Sequence, residues 1–174
     1  MSAEQTNQAK ETASPQATRP ISALERREIQ APVLARVIAG FTGELGYEEA
    51  MRVASAAIQL DAREAAKTLV RRFGGNGMQE LLQVVTQVWA EDDALVCDLL
   101  EQTDQKLSFD VTRCRYAEMY ARLGLKEYGC CLSCNRDEAF INEFNPRMKL
   151  VRTRTIMQGA QSCDFRITLE KSAG

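Results

Sequence analysis

Apolar residues recur every three to four positions through the first half of the chain, which is the period of an α-helix with one apolar face. Ser22 and Glu25 have the spacing of a capping box, in which the two side chains bond free amides of the first helical turn, so a helix is predicted to begin there. Pro32 is expected to kink this helix or to begin a second segment. The predicted core-facing stripe consists of Ile29, Val33, Val37 and Phe41.

Two further helices are predicted before residue 90. The second spans residues 47–73 and ends at Gly74 and Gly75, because glycine readily adopts the left-handed conformation of a helix C-terminus. The third spans residues 78–89, with an apolar stripe of Met78, Leu81, Leu82, Val85, Val88 and Trp89. We expect both helices to turn their apolar stripes toward the core.

The apolar period then changes to two, which predicts strands. Residues 95–100 and 107–112 alternate on either side of a turn at Asp104-Gln105 and predict an antiparallel hairpin. The remaining predicted elements are short helices at residues 114–123 and 137–144, a β-rich stretch at 149–157 and a last strand at 162–169. The predicted fold class is therefore α+β, with N-terminal helices packed against an antiparallel sheet of about four strands.

Composition sets the expected limits of this domain. Residues 1–20 contain almost nothing apolar beyond alanine, so residues 1–21 are predicted to be a disordered tail and residues 22–170 a single domain. No apolar stretch approaches the roughly 18 residues of a membrane span. The first twenty residues also lack the basic start and apolar middle of a secretory signal, so we expect a cytoplasmic protein.

Charge and apolar surface constrain the expected partners. The chain has 22 basic and 24 acidic residues, a net charge of -2 and no long basic run, which argues against nucleic-acid binding. In the first helix Ile29, Val33, Leu34, Val37 and Ile38 are spread around more than one face. A domain of this size can bury only some of that surface, so we expect a homo-oligomer.

The chain contains no histidine. This excludes a Ser-His-Asp triad, a Cys-His dyad, a histidine base and every histidine metal site. Catalysis would have to use cysteine, carboxylate, guanidinium, amine, hydroxyl or backbone groups. The six cysteines are expected to be thiols in the cytosol.

Cys114 is the first candidate for chemistry, because it lies between Arg113 and Arg115 where a predicted strand passes into a helix. The positive end of the helix dipole and the two guanidiniums would both favour its thiolate. The other interpretation is a small buried hydrophobe at a helix start.

Cys131 and Cys134 form a C-x-x-C pair, which is typical of a redox dithiol or of half a zinc site. A zinc site would need two more ligands, for which Cys114 and Cys163 are the obvious candidates. We predict no cofactor, with zinc held by these cysteines as the open alternative.

The last two predicted strands carry several charged side chains. Arg152 and Arg154 are expected to share one face, and Asp164 and Arg166 another. Their surplus guanidiniums would either bind a substrate carboxylate or form a solvated face of cross-strand pairs. Because neighbouring strand residues point to opposite faces, we expect Cys163 to face inward and Asp164 to orient Arg166 or a backbone group.

Three blocks of sequence together resemble a known family. They are R-C-R-Y-A-E-M-Y at residues 113–120, the Cys134-x-x-Asp137 spacing followed by Phe144-Asn145-Pro146, and R-T-R-T-I-M-Q-G at 152–159 followed by C-D-F-R at 163–166. In this order they resemble the L-2-amino-thiazoline-4-carboxylic acid hydrolase family over roughly residues 24–169. The final strands are also similar to 4-vinyl reductase and TRAPP-type ligand-binding domains.

The resemblance implies a hydrolase that opens a small cyclic amidine or related heterocycle, acting on carbon–nitrogen bonds other than peptide bonds. The substrate in the family name is 2-amino-thiazoline-4-carboxylate, and the product is N-carbamoyl-L-cysteine. Either a thiolate attacks the amidine-like carbon or an aspartate activates water to do so. The residues implied for catalysis are Cys134, Asp137, Cys163 and Asp164, and those implied for substrate binding are Arg113, Cys114, Arg154 and Arg166.

A second hypothesis comes from another functional class. A domain similar to the 4-vinyl reductase fold could bind a small molecule or a partner without catalysis, and its cysteines would then be ligand contacts or structural residues.

Overall fold

Two long helices begin the fold, α1 (Ala23–Leu45) and α2 (Tyr47–Phe73), with Gly46 alone between them. A computed structural model describes residues 19–170, so the first eighteen residues of the predicted tail lie outside the described residues. The predicted capping box is confirmed: the Glu25 amide donates to Ser22 Oγ and the Ser22 amide to Glu25 Oε2. Helix α1 runs through Pro32 without ending there.

The predicted core stripe of α1 is wrong. Ile29, Val33, Val37 and Phe41 are 64%, 60%, 47% and 46% exposed. The buried face of α1 instead carries Leu24, Ala31, Ala35 and Ile38. Small side chains at a helix contact allow a close approach of the partner helix, and the periodicity alone does not say which of two apolar faces is covered.

The remaining helices are short. Helix α3 (Met78–Val84) continues into a π-helical turn at Val85–Trp89, as expected for a helix over residues 78–89. The others are α4 (Arg115–Arg122), α5 (Lys126–Gly129), a π-helical turn at Cys130–Cys134, and α6 (Arg136–Phe144). Among residues 19–170, no helix combines the length and apolar character that are needed to span a membrane.

The sheet contains four antiparallel strands in the order β1-β2-β4-β3, which confirms the predicted α+β class. The strands are β1 (Leu95–Gln102), β2 (Lys106–Cys114), β3 (Met148–Val151) and β4 (Cys163–Leu169). The register places Val111 opposite Cys163 and Phe109 opposite Phe165, and the two phenyl rings stack with centroids 4.7 Å apart. The β-rich stretch predicted up to residue 157 is a strand only as far as Val151.

One face of the sheet is covered by α2, α3 and α6, and the alternation predicted for β4 is confirmed. Leu107, Phe109 and Val111 of β2 are buried in the same core as Cys163, Phe165 and Ile167 of β4. The opposite face carries Asp110 and Arg166. A second apolar cluster joins α1 and the start of α2 to α4 and to the turn at Cys130–Cys134. The candidate chemistry lies between these two clusters.

Candidate functional site

An ion pair between Asp137 and Arg152 lies at the centre of the site. Asp137 is in the first turn of α6, and Arg152 follows the last residue of β3. The two side chains are 20% and 15% exposed. Arg152 Nη2 also donates to the Cys134 carbonyl oxygen at 3.0 Å, and its guanidinium lies 5.2 Å from the ring centroid of Phe165. Arg152 therefore connects the start of α6 to the inner face of the sheet.

Asn135 fixes the turn that presents Cys134 and Asp137. Its Oδ1 accepts from Gln59 Nε2 at 2.9 Å, and its Nδ2 donates to the Ser55 carbonyl oxygen at 3.2 Å, so both contacts are with α2. The Asn135 amide closes the π-helical turn on the Cys130 carbonyl oxygen. Side chains held on rigid elements in this way keep a site in one geometry.

Three thiols come from separate elements: Cys114 ends β2, Cys134 ends the π-helical turn, and Cys163 begins β4. Burial raises the pKa of each thiol, and the negative charge of Asp137 raises it further. The Ile156 amide donates to Cys163 Sγ at 3.2 Å. The Asp137 carboxyl thus acts electrostatically on thiols from three separate elements.

Burial, more than charge, decides the protonation of these thiols. It raises the pKa of Cys114 to about 11 and lifts the pKa values of Cys134 and Cys163 above the ordinary range. Of the two interpretations of Cys114, the raised pKa favours the buried, protonated thiol at a helix start over the thiolate. Arg113 pairs with Glu118 and Arg115 donates to the Asp92 carbonyl oxygen, so neither guanidinium is directed at the thiol.

Burial also raises the pKa of the Asp137 carboxyl, while the Arg152 guanidinium lowers it. A carboxyl with a raised pKa can exchange a proton nearer to neutral pH than an exposed aspartate. Asp137 therefore has the environment expected of a group that transfers protons.

Asp164 lies on the other face of β4 from Cys163 and organises the loop after β3. Its Oδ1 accepts from the amides of Thr153 and Arg154 at 2.9 and 2.8 Å, and its Oδ2 accepts from Thr153 Oγ1 at 2.6 Å. Partial burial alone would raise the pKa of this carboxyl, but these hydrogen bonds lower it to about 2. Of the two partners predicted for Asp164, the structure shows the backbone group, whereas Arg166 bonds Asp110.

Arg154 and Arg166, the two arginines expected to bind the substrate carboxylate, both contact the carboxylate of Asp110 instead. Arg166 Nη2 and Arg154 Nη2 approach the Asp110 carboxylate at 2.7 and 3.5 Å, on the face of the sheet away from the helices. The expectation that Arg152 and Arg154 share a face is wrong, because strand alternation no longer applies after β3 ends at Val151.

The two cysteines of the C-x-x-C motif have different surroundings. The Cys131 thiol is buried and lies 3.4 Å from Ser55 Oγ, whereas Cys134 lies beside Asp137. Across the described part of the chain, no three cysteine or acidic side chains come together as a group that could hold a metal.

A cleft of about 330 Å³ opens beside the thiols. Its walls include Cys114, Ile156, Met157 and Gln161. Of the three thiols, Cys114 lines the cleft, and Ile156, whose amide donates to Cys163 Sγ, forms part of the same wall. This volume is in the range of small-molecule sites.

The family model described as L-2-amino-thiazoline-4-carboxylic acid hydrolase matches residues 26–167. The chain belongs to this family. Two of the three sequence blocks quoted for the resemblance meet at the ion pair: one contains Cys134 and Asp137, and the other begins at Arg152. The family name implies a hydrolase. No curated protein matches the chain by sequence.

Among solved structures, the chain is similar to a trafficking protein particle complex subunit 3 from Naegleria fowleri covalently bound to palmitic acid. The TM-score is 0.52 at 7% identity, covering 84% of this chain and 96% of that one. At this identity the likeness shows the fold alone, and it agrees with the TRAPP-type resemblance of the final strands.

Reasoning from the sequence missed Arg27 and Arg136, whose charges act on Asp137. It named Arg152 among the arginines that could bind a substrate carboxylate but did not predict its pairing with Asp137. Arg136 directly precedes Asp137 and so lay inside a quoted motif. Arg27 had no such signal, because only the folded chain brings α1 near α6.

Proposed function

We propose that the chain hydrolyses a small cyclic amidine that carries a carboxylate, such as 2-amino-thiazoline-4-carboxylate, to an N-carbamoyl amino acid. The observation that carries this proposal is the buried Asp137–Arg152 pair among three thiols, in a chain of this hydrolase family. A half-buried carboxyl with a raised pKa is the proton-transfer group that such a reaction requires in a protein without histidine.

The reaction needs one water molecule, and both of its protons must be moved. Water oxygen bonds to ring carbon C2 as the double bond between C2 and the ring nitrogen opens, and one water proton passes through Asp137 to that nitrogen. The bond between C2 and the ring sulfur then breaks while the hydroxyl on C2 becomes a carbonyl, and its proton passes through Asp137 to the sulfur. The product has a carbamoyl group on nitrogen and a free thiol. Arg152 keeps Asp137 in place and lowers its pKa, so that the carboxylate form is available for the first step.

Attack by a thiol is the second route. The sulfur of Cys134 or Cys163 would bond to C2 while the ring sulfur leaves with a proton, and water would then release the carbamoyl product and restore the thiol. Burial keeps both thiols protonated, so this route needs Asp137 to remove the thiol proton first. Asp137 is required in either route.

The alternative function is a non-catalytic binding module, as in the structural neighbour that carries palmitic acid. A long acyl chain prefers an apolar interior. In this chain, the interior between the two apolar clusters holds Asp137 and Arg152, and the charges of Arg27 and Arg136 also act on Asp137. This charge favours a small polar substrate over an acyl chain.

The test uses the full chain with 2-amino-thiazoline-4-carboxylate and follows N-carbamoyl-cysteine by mass spectrometry. We expect turnover by the wild-type chain and its loss in Asp137→Asn. Glu138→Gln, which changes an exposed carboxylate on the same helix, is the matched control and should keep full turnover. Equal rates for wild type and Asp137→Asn, or no product from a folded wild-type chain, would overturn the proposal.

A further inference from the structure

A second pair of arginines lies where α1, α2, α4 and α6 meet. Arg136 begins α6 and is only 9% exposed. Its Nη2 donates to Asp61 Oδ2 at 2.6 Å, but its buried Nη1 has no hydrogen-bond partner among the described residues. A buried cationic donor without an acceptor costs free energy, so Arg136 Nη1 is a candidate to donate to a bound molecule.

Arg27 adds a second positive charge at the same place. It lies on α1, and its Nη1 donates to the neutral side chain of Gln30 at 2.8 Å. Burial, together with the nearby charge of Arg136, lowers the pKa of Arg27 to about 10. The side chain of Asp61 is 61% exposed, so solvent screens its carboxylate. Asp61 therefore neutralises the two guanidiniums only in part.

The two guanidiniums act on the same interior region as the ion pair. Both lower the pKa of Asp137, and both lower that of the buried Tyr120, which burial raises to about 12. Arg136 directly precedes Asp137 in α6, and the charges of both arginines act on the Asp137 carboxyl.

We propose that Arg136 and Arg27 bind the carboxylate of the substrate and so hold its ring against Asp137. This inference rests on the proposed function for the identity of the ligand. Among the other arginines of the site, Arg152 pairs with Asp137, and Arg154 and Arg166 share Asp110. Arg136 also has a carboxylate partner, Asp61, but only through Nη2, and its Nη1 has no acceptor among the described residues. A small monocarboxylate would supply the acceptor that Arg136 Nη1 lacks, in the two-point manner that guanidinium groups favour.

Binding can be tested separately from turnover with thiazolidine-4-carboxylate, a saturated ring without the amidine carbon that is hydrolysed. Calorimetric titration should show binding to the wild-type chain, and no binding of thiazolidine itself. Arg136→Met and Arg27→Met should each weaken the carboxylate about 10-fold or more, as expected when a charged hydrogen bond is lost. Arg136→Lys should restore part of the affinity.

Arg122→Met is the matched control, since it removes an exposed guanidinium that pairs with Glu28. It should bind the probe like the wild-type chain. Thermal unfolding should show that Arg136→Met is folded, with a midpoint close to that of the wild type, because the loss of the ion pair with the exposed Asp61 is offset by removal of the unpartnered Nη1. With 2-amino-thiazoline-4-carboxylate as substrate, both arginine variants should raise KM about 10-fold or more and change kcat little.

The two proposals fail in different ways. If the chain has no turnover but binds the probe through Arg136 and Arg27, the proposed function is wrong and the carboxylate site stands. If Arg136→Met and Arg27→Met bind the probe as tightly as the wild type, or if the wild type does not bind it, the carboxylate site is wrong whatever the turnover.

Discussion

Arg152, directly after β3, forms an ion pair with Asp137 in the first turn of α6, and so joins two residues that are 15 positions apart and belong to different sequence blocks. A half-buried ion pair adds little net stability, because the desolvation of both groups offsets their attraction. Its place among three thiols and beside a second arginine pair is better explained by function. The predictions below separate that function from mere support of the fold.

Replacing Asp137 by asparagine should lower kcat/KM for 2-amino-thiazoline-4-carboxylate by about 10²- to 10⁴-fold, the usual contribution of general acid–base catalysis. Asparagine keeps the size and one acceptor oxygen but cannot take up a proton. Steady-state rates and a circular dichroism spectrum for both proteins give the measurement. A folded Asp137→Asn variant with a loss of less than about 3-fold would contradict the assignment.

The pH profile should carry the signature of the same carboxyl. A base must lose its proton to act, and burial raises the pKa of Asp137, so the acidic limb of kcat/KM should lie above the ordinary aspartate value of about 3.9. Arg152→Gln removes a guanidinium that lowers this pKa and should therefore move the limb to still higher pH. A limb that stays in place or moves downward in this variant would show that another group titrates.

Serine variants of Cys134 and Cys163 distinguish the two chemical routes. If a thiol attacks carbon, one of the two substitutions should reduce turnover at least about 100-fold, because a serine hydroxyl is a much weaker nucleophile at neutral pH. If water attacks, both variants should keep turnover within a few fold. Mass spectrometry of the chain during turnover would also detect an adduct on one cysteine in the first case only.

Short sequence patterns correctly predicted the features that depend only on residues close to one another in the chain. The inward position of Cys163 follows from its alternation with Phe165 along one strand, and the capping box at Ser22 follows from two side chains. The pairing of Arg152 with Asp137 was not predicted, because the direction of this side chain is set after the strand has ended, where the Asp164 carboxylate accepts from the next two amides. Arg27 was not predicted as a site residue, because only the packing of helices that are distant in sequence allows its charge to act on Asp137.

Asp164 should be important for stability more than for chemistry. Asp164→Ala leaves two backbone amides and the Thr153 hydroxyl without their acceptor, and we expect a loss of about 1–3 kcal/mol in the free energy of unfolding by urea. Asp98→Ala, at an exposed carboxylate of β1, should change it by less than about 0.5 kcal/mol.

The same variant has a defined pH dependence. The folded pKa of Asp164, about 2, lies below the unfolded value of about 3.9, so its stabilising effect is complete above pH 4 and is lost as the pH falls toward 2. The difference in stability between the wild type and Asp164→Ala should therefore shrink over that interval. A difference that stays constant from pH 7 to pH 2.5 would mean that the charge of Asp164 is irrelevant.

The exposed stripe of α1 should hold two copies of the chain together. Ile29, Val33, Val37 and Phe41 lie one turn apart over about 18 Å, and Ile29 also borders a groove lined by Ile21, Pro32 and Leu123. A continuous apolar surface of this kind is unusual on a monomer, and a second copy of the same stripe is a partner of matching chemistry. Sedimentation at micromolar concentration should show a dimer or larger species.

Val33→Glu and Val37→Glu should each shift this equilibrium toward the monomer, because they place a carboxylate in the contact. Leu60→Glu is the matched control, since Leu60 is equally exposed at 61% but lies on α2, outside the stripe. It should leave the assembly unchanged. All three variants change exposed side chains, so the monomer's own fold should be preserved, and a stable monomer in the wild type would reject this interface directly.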